Sequence, residues 1–359
     1  MKILIIHDYQ PFDGGGLEIN SFTVSKELVR RGNDVTIITS QTNATAPKRK
    51  DGVFFVLTSD PKQIEKLILK ADVVHVQLTF SLREAGMSAL RICQRINKRV
   101  VVTLHTSPTH IPYSALSSLS IKERKQKITE AKNLLNASNV RIVSLSPVLS
   151  KELADFGITN LATIIQNGFT IPKLKQKKPV YDFLVVGEVS YLKGVNYFLD
   201  AVKILKKEVP DIRCAIVGNG SEFTLVKALA NALDLNDVVT FLGYIPHEDI
   251  FETFQKAKIL VHPSLTEAVP LVITEAQLVG LPVIASNIGA IPNLLKQTGG
   301  GILFEKANAQ DLKEKMLLLL KNKELQKKLR KKGKTFCKKN FTISRQVEEL
   351  LSLYRSTLE

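Results

Sequence analysis

Tryptophan is absent from the 359 residues, and the aromatic residues together make up only 6% of them. The stacked aromatic platforms that hold single-stranded bases are therefore not evident, and a nucleic-acid partner is not expected. Three cysteines, Cys93, Cys214 and Cys337, stand far apart, without the spacing of a redox pair or a zinc site, which fits a reducing cytoplasm. No run approaches the roughly 20 apolar residues that a spanning helix needs. The opening "KILII" is too short for a signal core and reads as a first strand. Self-similarity at a short fixed period is also missing, which excludes a solenoid.

Acid is in short supply. Fifty Lys and Arg against 34 Asp and Glu give a net charge of +16, a balance that invites an anionic partner: a nucleotide, a nucleic acid or an acidic membrane surface. Between Lys306 and Lys339 there are 13 basic residues and three acids, on a strongly helix-forming stretch. A solvated helix face accounts for that run. A second basic stretch, "SALSSLSIKERKQKITEAKNLLN", sets Leu116, Leu119, Ile121 and Ile128 among Lys122, Arg124, Lys125 and Lys127, and such a helix can lie on anionic lipid.

What is plentiful is alternation. Short β-branched runs ("KILIIH", "DVTIIT", "GVFFVL", "DVVHVQ", "RVVVTLH", "RIVSLS") alternate with amphipathic helical stretches. A second such series runs through "DFLVVGE", "RCAIVGNG", "VVTFLG", "AKILVHPS" and "LPVIAS". This is the pattern of parallel sheets, and the length calls for two domains. "TIPKLKQKKPV", with Pro172, Pro179 and four lysines, reads as the linker between them. The expectation is an α/β protein: a Rossmann-like domain over 1–172, a second over 173–340, and a helix over 341–359 packing back toward the first.

Chemistry concentrates where strands end. "EAVPLVITEAQLVGLPVIAS" places Glu267 in a loop after "ILVHPS" and Glu275 on a helix that Pro270 opens at its first position and Gly280 closes. The free N–H groups of Leu271 and Val272 at that helix start suit a phosphate. Two acids are also the equipment of a retaining glycosidase, but eight helical steps separate them by ~12 Å, against the ~5 Å such a pair needs. If a nucleotide diphosphate leaves, amides and a lysine can hold the developing charge, and both acids are free to bind hydroxyls. "VGEVSYLKG" sets Gly187, Lys193 and Gly194 at another strand-to-helix turn, and "AIVGNGSEF" sets Gly218, Asn219 and Gly220 at a third. Gly14, Gly15 and Gly16 follow the first strand, permitting close backbone approach. The dinucleotide fingerprint is incomplete there, which disfavours nicotinamide.

Taken in order, these segments resemble the retaining, nucleotide-sugar-dependent glycosyltransferases of family four, whose fold is GT-B: two doubly wound Rossmann-like domains facing each other across a cleft. Two glutamates with seven residues between them are that family's hallmark, met here by Glu267 and Glu275. The resemblance implies that Glu275 holds the ribose, that Glu267 holds the donor sugar, and that the amides following Val269 and Pro270 meet the diphosphate. It places Lys193 on the leaving phosphate, Gly15 and Gly16 near the diphosphate, and Tyr244 with Ile245 at the base. On the same resemblance Gly187, Gly218 and Asn219 would line the donor, His105 would stand beside the reacting sugar, and Asn20 would lie on the acceptor side. His105, Lys193 and Glu267 would carry the catalysis. The resemblance implies a nucleoside-diphosphate sugar as donor and a lipid-linked or saccharide group as acceptor, with no cofactor or metal; the sequence contains no Asp-x-Asp pair. The enzyme would be cytoplasmic, peripheral at the inner face of the membrane.

The chain also departs from the family. Glu188 stands where the family usually carries an arginine that shares the diphosphate charge, and "SNIGAIPNLL" keeps Gly289, Ala290 and Asn293 in place of a glycine pair and acid. Two other readings therefore stand beside an active transferase: a non-catalytic glycosyltransferase-like subunit that binds a partner enzyme, and a nucleotide-sugar epimerase on the same fold. His75 reads as a core residue, and His7, His110, His247 and His262 show no zinc spacing and receive no chemistry.

Overall fold

The computed structural model describes residues 1–7, 15–40, 48–79, 82, 84–106, 120–171, 174, 177–267 and 269–359, with the backbone alone at 161–162. Gly14, His110, Leu116, Leu119 and Pro172 lie outside these. The chain divides into two compact units, Met1–Thr170 with Thr342–Glu359, and Ile171–Phe341.

The first unit contains β1 (Lys2–Ile6), α1 (Gly16–Arg30), β2 (Asp34–Thr39), β3 (Arg49–Lys50), β4 (Val53–Leu57), α2 (Pro61–Lys70), β5 (Val73–Leu78), α3 (Glu84–Arg95), β6 (Val100–Leu104), α4 (Ile121–Leu135), β7 (Val140–Ser144), α5 (Pro147–Asp155) and β8 (Leu161–Ile164). Its sheet runs β3-β4-β2-β1-β5-β6-β7-β8 and is parallel except at β3. The long β-branched strands are those read from the sequence; β3 and β8 are too short to show a pattern. On α4, Ile121 is exposed while Ala131, Leu134 and Leu135 are buried, and Arg91 of α3 pairs with Glu130. The helix therefore packs by its C-terminal half.

The second unit continues with β9 (Tyr181–Val186), a 3-10 turn (Tyr191–Lys193), α6 (Val195–Lys206), β10 (Cys214–Val217), α7 (Phe223–Ala232), β11 (Val239–Gly243), α8 (His247–Gln255), β12 (Ala257–His262), α9 (Leu271–Val279), β13 (Val283–Ser286), α10 (Ile291–Thr298), β14 (Gly301–Phe304), α11 (Ala309–Lys321) and α12 (Lys323–Asn340). Its all-parallel sheet runs β11-β10-β9-β12-β13-β14, with apolar clusters on both faces. Residues buried on both faces explain why these strands read as continuous apolar runs. The strand order reverses between β9 and β12, so the connections after these two strands leave on opposite sides and open a crevice at their carboxyl ends.

The final helix, α13 (Ile343–Leu358), sets Val347, Leu350, Leu351 and Tyr354 into the core of the first unit. Gln346 ties it down: its side chain accepts from the Gly168 N–H at 2.7 Å and donates to Asn20 at 3.0 Å. The Asn20 amide in turn donates to the Gly168 carbonyl at 3.0 Å. Part of the basic run has an internal use as well. Arg330 and Lys334 of α12 lean on Gly280 at the C-cap of α9, and Lys332 leans on Gly299 at the C-cap of α10. Cations there complement the negative ends of the helix dipoles.

Candidate active site

At the reversal point of the second sheet, the chain leaving β9 is fastened to the chain leaving β12. The Leu265 N–H donates to the Leu192 carbonyl at 2.8 Å. Gly194 takes a left-handed conformation at φ 63°, and a side chain there would put its Cβ 2.2 Å from the Pro263 carbonyl oxygen. Only glycine fits both demands. This seam presents Lys193 to Glu267, with Nζ 2.9 Å from Oε2. The same oxygen receives His262 Nε2 at 3.1 Å and, at a long 3.4 Å, Ser264 Oγ. Burial by itself would raise the Glu267 pKa, but the Lys193 charge and the His262 hydrogen bond outweigh it and hold the carboxyl at about 2. Glu267 is therefore an anion at neutral pH, although its side chain is only 13% exposed.

Glu275 is on the first turns of α9, and its side chain is 10% exposed. His247, the first residue of α8, places Nε2 2.6 Å from Glu275 Oε1. Each glutamate is thus anchored by one oxygen, Oε2 of Glu267 and Oε1 of Glu275. Among the described residues no hydrogen bond reaches the other oxygen of either. Each glutamate therefore keeps one oxygen available to accept a hydrogen bond.

Several expected donor contacts have other uses in the structure. Pro270 is the cap residue of α9 rather than its first turn, because Leu271 turns back and donates to the Val269 carbonyl at 3.0 Å. Its φ of −80° and ψ of 81° are those of an inverse γ-turn. The Leu271 amide is thereby committed, a correction to the expectation that it is free for phosphate. The glycine turns likewise spend their amides: Gly187 donates to Val217, Gly218 to the Gly243 carbonyl, and Gly220 to Asn219 Oδ1. They bring three strand ends together rather than offering N–H groups. Tyr244 follows β11 and is 72% exposed, and Ile245 packs beside the core. Glu188 is exposed and forms no ion pair among the described residues, since Lys193 is bound to Glu267. Gly289, at φ 49°, passes so close to the Glu267 backbone that a Cβ would lie 2.0 Å from its carbonyl oxygen.

In the first unit, Gly15 caps the start of α1 and Gly16 begins it, both exposed. His105, just past β6, gives Nε2–H to the Gln77 side-chain oxygen at 2.6 Å. Burial, with smaller contributions from His75 and His7, lowers its pKa to about 3. The ring is therefore neutral at pH 7, with its proton on Nε2 and Nδ1 left as an acceptor. His75 is buried between Tyr354 and Thr103, at 2.6 and 2.7 Å, and has the core role read from its strand. Asn20, expected on the acceptor side, is buried and bound to Gly168 and Gln346, so its amide serves the docking of α13. Sequence reasoning missed Gln77, His247 and His262. Only His262 left a local sign, at a strand end five residues before Glu267.

The comparisons agree with this architecture. Residues 168–336 match the family described as glycosyl transferases group 1, and residues 14–171 match glycosyltransferase family 4. The chain belongs to these group 1, family 4 glycosyltransferases. An uncharacterized glycosyltransferase of Methanocaldococcus jannaschii is 28% identical over 363 residues, 94% of each chain. Another, of Haemophilus influenzae, is 32% identical over 196 residues, 54% of this chain and about half (55%) of its own length. The structure of Anabaena HepE in complex with UDP superposes with a TM-score of 0.80 at 20% identity, covering 99% of this chain and 100% of that one. The fold is GT-B. Among the described residues no helix is long and apolar enough to cross a membrane.

Proposed function

We propose that this chain transfers a sugar, with retention, from a nucleoside-diphosphate sugar to a lipid-linked or saccharide acceptor, and does so without a resident metal. The observation that carries the reading is the pair of half-anchored glutamates beside Lys193, at the strand-order reversal where α/β sheets bind ligands. Glu275 takes the ribose and Glu267 a sugar hydroxyl. Lys193, shared between Glu267 and the leaving phosphate, offsets the charge that grows as the glycosidic bond breaks. A neutral His105 suits a hydrogen-bonding role beside the sugar better than a charge-balancing one. The bound UDP of the Anabaena neighbour supports a nucleotide ligand in this fold. Built and buried as they are, these contacts favour a working transferase over a subunit that only binds a partner.

Calorimetric titration of nucleoside diphosphates and their sugars, against variants of each glutamate, tests this. Glu275→Gln is expected to weaken bare nucleotide and nucleotide sugar alike. A lost charge-assisted hydrogen bond costs roughly 1.5–3 kcal/mol, or about tenfold and upward in affinity. Glu267→Gln should weaken the nucleotide sugar but leave the bare nucleotide as tight or tighter, because Lys193 is released. Equal loss of bare nucleotide in both variants contradicts the division of roles.

Glu188 supplies a separate test. It is exposed and unpaired where the phosphates would lie, and the neighbouring glycine amides are already committed. Glu188→Arg is therefore expected to tighten nucleoside diphosphate by roughly two- to tenfold, the scale of one partly exposed charged contact. Weaker binding by the arginine variant than by Glu188→Gln would show that the carboxylate has a ligand of its own.

A further inference from the structure

We propose that His247 is a positioning residue that makes the nucleotide site select for ribose. The inference rests on the nucleotide reading above. His247 begins α8, after the Gly243–Tyr244–Ile245 turn and the cap residue Pro246, and reaches across to α9 to hold Glu275 Oε1 at 2.6 Å. Its own ring is steadied by Phe251, one helical turn on, with centroids 5.8 Å apart and planes at 76°. The imidazole is 34% exposed on its side chain, whereas Glu275 is almost covered. The arrangement fixes the carboxylate plane: Oε1 faces the imidazole, and Oε2, with no described partner, is the one oxygen left to accept from a ligand.

The physical consequence concerns order rather than charge. A glutamate with two free torsions beyond Cβ samples many carboxylate orientations, and ordering it at the moment of binding weakens every hydrogen bond it makes to the ligand. A carboxylate already held by one oxygen gives its full strength to a vicinal diol. A ligand lacking the diol gains nothing from that order and leaves a nearly buried anion without its second partner. His247 thus sets a preference between sugars of the nucleoside, while making no contact of its own that a ribose hydroxyl requires.

The experiment uses the full chain and a panel of UDP, GDP and ADP, each paired with its 2′,3′-dideoxy analogue, titrated calorimetrically. Wild type is expected to bind one ribonucleotide at least roughly tenfold tighter than its dideoxy partner. His247→Ala should lose roughly tenfold for that ribonucleotide while its dideoxy affinity stays within about twofold, and His247→Gln, which keeps an N–H donor, should restore most of the preference. Adding His247→Ala to Glu275→Gln should cost little more than Glu275→Gln alone. Equal loss of both ligands in His247→Ala would mark a merely structural role and overturn the inference, as would unchanged binding of the ribonucleotide. Wild type that binds the pair equally defeats the inference while leaving the nucleotide reading in place. Wild type that binds no nucleotide defeats both.

Discussion

Replacing Lys193 with methionine should lower the rate of sugar transfer by roughly 10²–10³-fold, the effect of removing one group aimed at charge that develops in a transition state. Methionine keeps most of the stem and removes the ammonium, and the backbone bond from Leu265 to Leu192 that forms the seam does not depend on the side chain. A second readout separates this from a general loss of structure. Glu267 has a folded pKa of about 2 against an ordinary value of 4.5. A depressed carboxyl pKa contributes stability that is fully present above about pH 4.5 and lost as pH falls toward 2, on the order of 3 kcal/mol in all. Without Lys193 the upward push of burial meets only His262 and Ser264. The Glu267 pKa then rises, and most of its contribution disappears. The variant should lose stability at neutral pH, where the carboxylate is now a poorly compensated buried charge, and its stability should fall less steeply between pH 4.5 and 2 than that of wild type. Urea titrations at a series of pH values measure this. Parallel acid profiles for the two proteins would show that the 2.9 Å contact does not set the charge of Glu267.

Much of this site was legible in the sequence, and the limits of that legibility are physical. Strands buried on both faces leave unbroken apolar runs, so β9, β10, β12 and β13 could be read directly, whereas β14, "GILF", opens on glycine and is fully buried only at Phe304, so it carries no such signature. The spacing of Glu267 and Glu275, with the proline between them, was visible because it is local. Their partners were not. His247 and Glu275 are 28 positions apart, and Lys193 and Glu267 are 74 apart, so each pair exists only once helices and loops from different strands are packed side by side. Nor does a glycine in a sequence say why it is there. Gly187 and Gly218 were expected to line the donor, yet their amides are bound to neighbouring strand ends. Pro270 misled by one position for a similar reason: the proline starts the helix, but Leu271 first folds back on Val269.

Gly218 gives the largest stability effect expected of a single methyl group. It follows β10 directly at φ 131°, donates to the Gly243 carbonyl at 2.8 Å, and lies so near the end of β9 that a Cβ would be 1.8 Å from the Gly187 carbonyl oxygen. Two penalties therefore add in Gly218→Ala. One is backbone strain, since side chains rarely adopt that conformation. The other is overlap with a backbone atom that has no rotamer to escape into, and relief requires separating the carboxyl ends of β9 and β10. Together they should destabilise the second unit by roughly 2–5 kcal/mol. Gly32 separates the two contributions. It has a positive φ of 81° but nothing within 4 Å of where a Cβ would stand, so Gly32→Ala should cost only the strain, about 1–2 kcal/mol. Because the same strand ends carry Lys193 toward Glu267, Gly218→Ala should also weaken nucleoside diphosphate binding under conditions in which the protein remains folded, whereas Gly32→Ala should not. Urea unfolding and nucleotide titration of both variants decide the matter. Equal destabilisation by the two alanines would mean that the second sheet yields at its carboxyl end without cost, and that the close approach of β9 and β10 does not hold the site in shape.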